Sequence, residues 1–254
     1  MRLTLLRHAT LVLEYAERRL LVDPMLSPAG AMDPVANAAN ARRIPLVELP
    51  LTGAQLGELL GSLDGVLVTH GHRDHWDPAA AALVPKTLPL ACQPADAARF
   101  GAEGMAVTAA GAGGTWLGLG LSLTAGRHGR GEVGERMGPS SGFVLRTPGE
   151  PTLYIAGDTV WCSEVEATIA THRPDVIVVN AGAAQFLAGG PITMDVPDVA
   201  AVRTAARAAR VVAVHFEAVN HCLLTRAGLR DGLGRLGAGG GVLIPLDGET
   251  VELS

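Results

Sequence analysis

Three of the chain's eight histidines and one aspartate fall within six residues, in Thr69-His70-Gly71-His72-Arg73-Asp74-His75. Imidazole and carboxylate are suitable ligands for Zn, Mn or Fe at neutral pH. The run directly follows the apolar stretch Gly65-Val66-Leu67-Val68. A strand there would deliver the side chains at its end, where a sheet can aim them. Gly71 permits a tight backbone path between His70 and His72. A solvated polar loop accounts for a lone histidine, but not for this density of ligand types. Four neighbouring side chains cannot all serve one tetrahedral ion well, and a catalytic ion also keeps a position for water. More distant ligands are therefore expected.

Isolated histidines and an aspartate stand further along, and their surroundings alone mark none of them as a ligand. His128 lies in Gly126-Arg127-His128-Gly129-Arg130-Gly131, Asp158 in Gly157-Asp158-Thr159, and His215 just after Val211-Val212-Ala213-Val214. Each has a plain alternative: a surface histidine, a turn or helix N-cap aspartate, and a core histidine. His172, in Thr171-His172-Arg173-Pro174, reads as a helix-end residue whose charge suits the helix dipole.

Taken together, the run resembles the HxHxDH signature of the metallo-β-lactamase superfamily. The later elements stand in that family's order, with 58 residues from His70 to His128, 30 more to Asp158 and 57 more to His215. The resemblance implies a first metal held by His70, His72 and His128, and a second held by Asp74, His75 and His215. Asp158 would bridge them. It implies two divalent ions, Zn first, with Mn or Fe as alternatives, and a metal-bound hydroxide as the attacking group. Asp74 is the residue expected to shuttle a proton, and so is named catalytic as well as ligating. His8-Ala9-Thr10, Val22-Asp23-Pro24 and His215-Phe216-Glu217 are similar to one subgroup, the L-ascorbate-6-phosphate lactonase-like hydrolases. In that light His8 and His221 either face substrate, support the ligands, or are structural.

Short β-type runs and helical periods supply the elements that must position these groups. Strands are expected at residues 2–7, 11–14 and 19–23, the last ended by Asp23-Pro24. Residues 25–50 read as a long loop with one short helix near 35–42; loops of that length are often functional. A helix at 52–63, capped by Thr52, precedes the strand at 65–69. Further strands are expected at 88–92, 105–108, 118–125, 141–146, 152–156, 176–180, 211–214, 242–246 and 250–253. Helices are expected at 161–171, 197–209 and 225–236. Such a pattern fits sheets covered by helices better than a single parallel sheet. The fold class implied by the resemblance is α+β, a four-layer αββα sandwich, in one domain over residues 1–254.

Composition narrows the chemistry. Net charge is −5, from 25 acidic and 20 basic residues, which lacks the basic footprint of a nucleic-acid binder. Cys92, Cys162 and Cys222 are scattered and odd in number; this is neither a disulfide framework nor a CxxC zinc site, and it suits a reducing cytoplasm. The start breaks its apolar run with charge too early for a signal peptide. No stretch approaches the roughly 18 to 20 apolar residues that span a bilayer. Within the resembled superfamily, His72 stands where oxygen-reducing di-iron members carry Glu, and 254 residues leave little room for the inserted domain of RNA-processing members. The expectation is a cytoplasmic hydrolase of a small ester, lactone or phosphodiester, with lactone opening in the lead. The competing readings are a nuclease or phosphodiesterase acting on nucleic acid, and a non-catalytic metal-binding scaffold.

Overall fold

Strand patterning builds two sheets, each buried on both faces. The computed structural model describes residues 1–253. The first sheet contains β1 (Arg2–Arg7), β2 (Thr10–Tyr15), β3 (Arg18–Val22), β4 (Gly65–Val68), β5 (Pro89–Cys92), β6 (Ala106–Ala109) and β14 (Thr250–Glu252), in the order β14-β1-β2-β3-β4-β5-β6. The second contains β7 (Gly114–Trp116), β8 (Leu119–Ala125), β9 (Ser141–Arg146), β10 (Leu153–Ile155), β11 (Val176–Asn180), β12 (Arg210–Val214) and β13 (Val242–Leu243), in the order β13-β12-β11-β10-β9-β8-β7. Each sheet is antiparallel over one half and parallel over the other. Pairing from β14 to β3 is antiparallel and from β3 to β6 parallel; β7 to β10 is antiparallel and β10 to β13 parallel.

Alternate side chains on a strand point to opposite faces, and both faces here are apolar. Leu3, Leu5, Leu13, Leu20 and Val22 of the first sheet meet Phe143, Leu145, Ile155, Val176, Val178 and Val212 of the second in the central core. The intervening residues of the same strands face outward to helices. Val66, Val68, Leu90 and Cys92 pack on α1 (Gly53–Gly61), α2 (Pro78–Leu83) and α3 (Pro94–Ala102) through Leu59, Leu60, Ala80 and Phe100. Tyr154, Ile177, Val179 and Val211 pack on α5 (Ser163–His172), α6 (Val196–Ala205) and α7 (Arg226–Arg235) through Val165, Ile169, Val199, Val202, Leu229 and Leu233. The result is the expected αββα sandwich. Full burial of a Leu or Val side chain contributes roughly 1.5–3 kcal/mol, so the two-sided strands carry much of the stability. Among the described residues, no helix is long and apolar enough to cross a membrane.

Several elements depart from expectation. The helix expected at 35–42 is absent. Asn37 adopts a left-handed conformation with φ 56°, and the Asn40 side chain bonds the Asn220 carbonyl at 2.9 Å and the Arg42 amide at 3.2 Å. Asn side chains that bond nearby backbone in this way compete with helix. The segment instead forms a strap. Met32 pairs with Ile44 by an isolated bridge, and Met25, Met32 and Ile44 bury against Ala218 and Val219. Helices α2 and α3 were not expected; both begin with Pro in the first turn, Pro78 after the capping Asp77 and Pro94 after Gln93, where Pro is well tolerated. The short helix α4 (Gly131–Met137) has no buried residue and therefore no apolar period to reveal it. The predicted cap at Thr52 is present as a reciprocal capping box with Gln55.

Candidate metal centre

The sequence-predicted ligands leave the ends of different strands and converge. His70 follows β4 at once. His128 follows β8, Asp158 follows β10, and His215 follows β12. Residues 72–76 then make a tight turn, in which the His75 and Trp76 amides both bond the His72 carbonyl at 3.0 Å. That turn brings Asp74 and His75 back over the strand end. At Gly71 a Cβ would lie 2.8 Å from the tips of the Asp96 and Arg99 side chains of α3, which would have to shift to admit it. Gly157 enters Asp158 at φ +67°, with a would-be Cβ only 2.5 Å from the Ser141 carbonyl.

Two donor sets result. His70, His72 and His128 form one, with donor atoms within 4.8 Å of one another. Asp74, His75 and His215 form the other under the same limit, joined by His8. Asp158 stands between them: its Oδ2 is 3.8 Å from His70 Nε2, 3.5 Å from His128 Nε2 and 3.4 Å from His75 Nε2. Its Oδ1 is 3.4 Å from His215 Nε2. Asp74 Oδ2 is 3.7 Å from His75 Nε2 and 3.6 Å from His215 Nε2.

Outer hydrogen bonds decide which ring nitrogen faces inward. His75 Nδ1–H donates to Asp23 Oδ2 at 2.8 Å. His128 Nδ1–H donates to the Ile192 carbonyl at 2.9 Å. His70 Nδ1–H donates at 3.1 Å to Thr69 Oγ1, which itself donates to Asp23 Oδ2 at 2.7 Å. His215 Nδ1 contacts the Cys222 thiol at 3.5 Å. Asn180 Nδ2 holds Asp158 Oδ1 at 2.7 Å. Such partners fix tautomer and ring orientation in metal sites. Asp23, Thr69, Asn180 and Cys222 escaped the sequence reading in this role. Asp23 was legible as a strand terminator and as part of the Val22-Asp23-Pro24 resemblance, but not as a partner of His75, which lies 52 positions away.

The donor chemistry fits divalent metal ions. Nε2 of both His75 and His215 is buried without a hydrogen-bond partner, an arrangement costly in a folded protein unless something binds there. Electrostatics agree. Burial alone would lower the His215 pKa, but Asp158 and Asp74 outweigh it and hold the ring up to about 10. His75 is likewise raised against burial by Asp158, Asp23 and Asp74. Burial would raise the carboxyls of Asp74 and Asp158, yet the surrounding imidazoles hold both well below the usual range. Burial, reinforced by His75, drives His70 down, and burial also lowers His128. Without metal, protons therefore occupy the second donor set, where a cation is favoured.

His8 and His221 take different places. His8, fully buried after β1, puts Nε2 3.1 Å from Asp74 Oδ2; burial and His215 push its pKa down to about 3. His221 lines a cavity of about 210 Å³ over the donor sets. Val35, Ala36, Met137 and Phe186 form its apolar walls, Arg73 is its cation, and His72, Asp74, His128 and Asp158 reach into it. The His221 ring stacks on Phe186 with centroids 6.0 Å apart, and burial lowers its pKa to about 4. His172 ends α5 as expected, and its carbonyl accepts from Arg146 at 2.7 Å; burial and the nearby Arg146 lower its pKa, however, so the charge expected to suit the helix dipole is disfavoured.

The sequence pattern of the β-lactamase superfamily domain matches residues 18–216. UPF0173 protein YddR of Bacillus subtilis is 38% identical over 254 residues, covering 98% of this chain and 99% of YddR. The crystal structure of isothiocyanate hydrolase from Delia radicum gut bacteria superimposes with a TM-score of 0.92 at 38% identity, over 99% of both chains. A possible metal-dependent hydrolase from Veillonella parvula gives a TM-score of 0.93 at 32% identity, over 99% of this chain and 98% of that one. With these matches and a histidine–aspartate centre at the strand ends, the chain belongs to the β-lactamase superfamily and is a metal-dependent hydrolase.

Proposed function

We propose that the protein is a two-metal hydrolase of small, uncharged electrophiles, with an organic isothiocyanate as the leading substrate. The observation that carries this is the pair of donor sets sharing Asp158 at the floor of a cavity of about 210 Å³. His70, His72 and His128 would hold one ion and Asp74, His75 and His215 the other, with Asp158 available to both. When bound, such a pair acidifies water and polarises the atom that gains charge.

The chain's own side chains do the rest. Val35, Met137 and Phe186 offer the organic tail an apolar wall and keep bulk water out. His221, neutral at pH 7 because its pKa lies near 4, presents hydrogen-bonding capacity without charge. Asp74 touches both the cavity and the second donor set, and its carboxylate is our candidate to carry a proton to the departing group. For an isothiocyanate, the water oxygen bonds to the central carbon and the carbon–nitrogen bond breaks. Both water protons end on nitrogen, giving a primary amine and carbonyl sulfide. The similarity to isothiocyanate hydrolase over 99% of both chains supports this ahead of lactone opening, which the cavity also admits. A cavity this small argues against a polynucleotide.

The test is a panel of isothiocyanates, lactones, esters and phosphodiesters with Zn- and Mn-loaded protein. Amine and carbonyl sulfide release at a rate well above that of the other classes is expected. Faster turnover of lactones or phosphodiesters would replace the substrate assignment. No turnover of any class by protein holding two ions would favour a binding role.

A further inference from the structure

His8 has donor-atom proximity to the second set, yet its ring stands differently from the rings around it. Two imidazoles that bind one tetrahedral ion through nitrogen hold their ring centres roughly 5 Å apart. His75 and His215 are 5.4 Å apart, His70 and His128 5.4 Å, His72 and His128 5.2 Å and, the shortest within a proposed set, His70 and His72 4.4 Å. His8 and His215 are only 3.6 Å apart, with planes inclined at 38°. That is a ring lying on the face of another, and it leaves no room for an ion addressed by both.

Three further contacts define what His8 does instead. Its Nε2 lies 3.1 Å from Asp74 Oδ2, the Asp74 oxygen that faces His75 and His215 at 3.7 and 3.6 Å. Its backbone carbonyl accepts the His215 amide at 2.8 Å. Its own φ is 59°, a left-handed conformation that non-glycine residues keep only where the surroundings enforce it.

We propose that His8 is a positioning residue for the second metal: it donates from Nε2–H to Asp74 and braces the face of His215, without coordinating the ion. It thereby sets how tightly the second position is held and leaves the first position untouched. The inference rests on the two-metal reading above and deepens it.

The test is titration of metal-free full-length protein with Co(II), followed by absorption, by elemental analysis after dialysis and by NMR of the hyperfine-shifted ring protons. A His75→Ala chain marks which binding step belongs to the second position. His8→Phe keeps a ring on His215 but removes the donor; it is expected to weaken the second step about 10- to 100-fold with the first unchanged. His8→Gln retains an N–H and should recover part of the loss, which also separates the role from a folding defect. Two unchanged steps in His8→Phe would overturn the proposal. So would equal weakening of both steps, which indicates a merely structural residue. A hyperfine-shifted ring proton assigned to His8 would make it a ligand and likewise overturn it. A single equivalent bound by the unaltered chain would instead refute the two-metal reading, independently of His8.

Discussion

Asp158 is the residue common to both ions in the proposed two-metal reading, since its one carboxylate faces four imidazoles at 3.4 to 3.8 Å. His72 by contrast serves one set, with its Nδ1 2.9 Å from His70 Nε2. Asp158→Ala should therefore lower occupancy at both positions, and His72→Ala at the first alone, with hydrolysis abolished in each. Elemental analysis beside an activity assay checks this; full metal content with full activity in either variant would falsify the assignment. His70 to His75 stood out in the sequence because three His and an Asp crowd the end of the apolar run 65–68, and Asp158 and His215 because each follows a strand-like run; His128, in a Gly- and Arg-rich loop, stood out only through the resemblance. Asp23 did not stand out in its orienting role, and neither did the cavity wall at Phe186, because orientation and enclosure come from residues that are neighbours only after folding.

At the scale of elements, the strap of residues 24–52 closes one side of the cavity through Val35 and Ala36. Asn220 pins it: its side chain accepts from the Val35 amide at 2.8 Å and donates to the Val35 and Asn40 carbonyls at 3.1 and 2.7 Å. Asn220→Ala leaves those backbone groups without that partner, at about 1–3 kcal/mol. The expected outcome is a lower denaturation midpoint with KM raised more than kcat is lowered; an unchanged KM would detach the strap from substrate binding. The core strands could be read in advance because a buried strand shows an unbroken apolar run, as Val176-Ile177-Val178-Val179 does. The strap could not. Its conformation is fixed by Asn220, by the buried Arg7 donating to the Val47 and Ser27 carbonyls, each at 2.9 Å, and by no period of its own.

On the scale of the whole molecule, metal content and pH should act together. In the metal-free protein the folded state holds His215 up near pKa 10, against an ordinary value near 6.5. The resulting stabilisation is full below pH 6.5 and is lost as pH rises through about 10. His8 and His221, lowered to about 3 and about 4, act oppositely: they are kept neutral, and stability falls as pH drops below 6.5. The stability of the metal-free chain against denaturation should thus peak near neutrality, with its alkaline decline flattened when metal replaces the proton at His215. Because metal displaces protons, loading at pH 7 should acidify an unbuffered solution; loading without proton release would contradict the raised His75 and His215. Chelation should also lower the melting temperature, since the ligands belong to both sheets. The His215 amide bonded to the His8 carbonyl ties the end of β1 to the end of β12, so the two sheets are clasped like covers at a spine. Deuterium should then enter last at His215 and earliest at the strand ends remote from it, making the reactive end of the molecule the slowest to breathe.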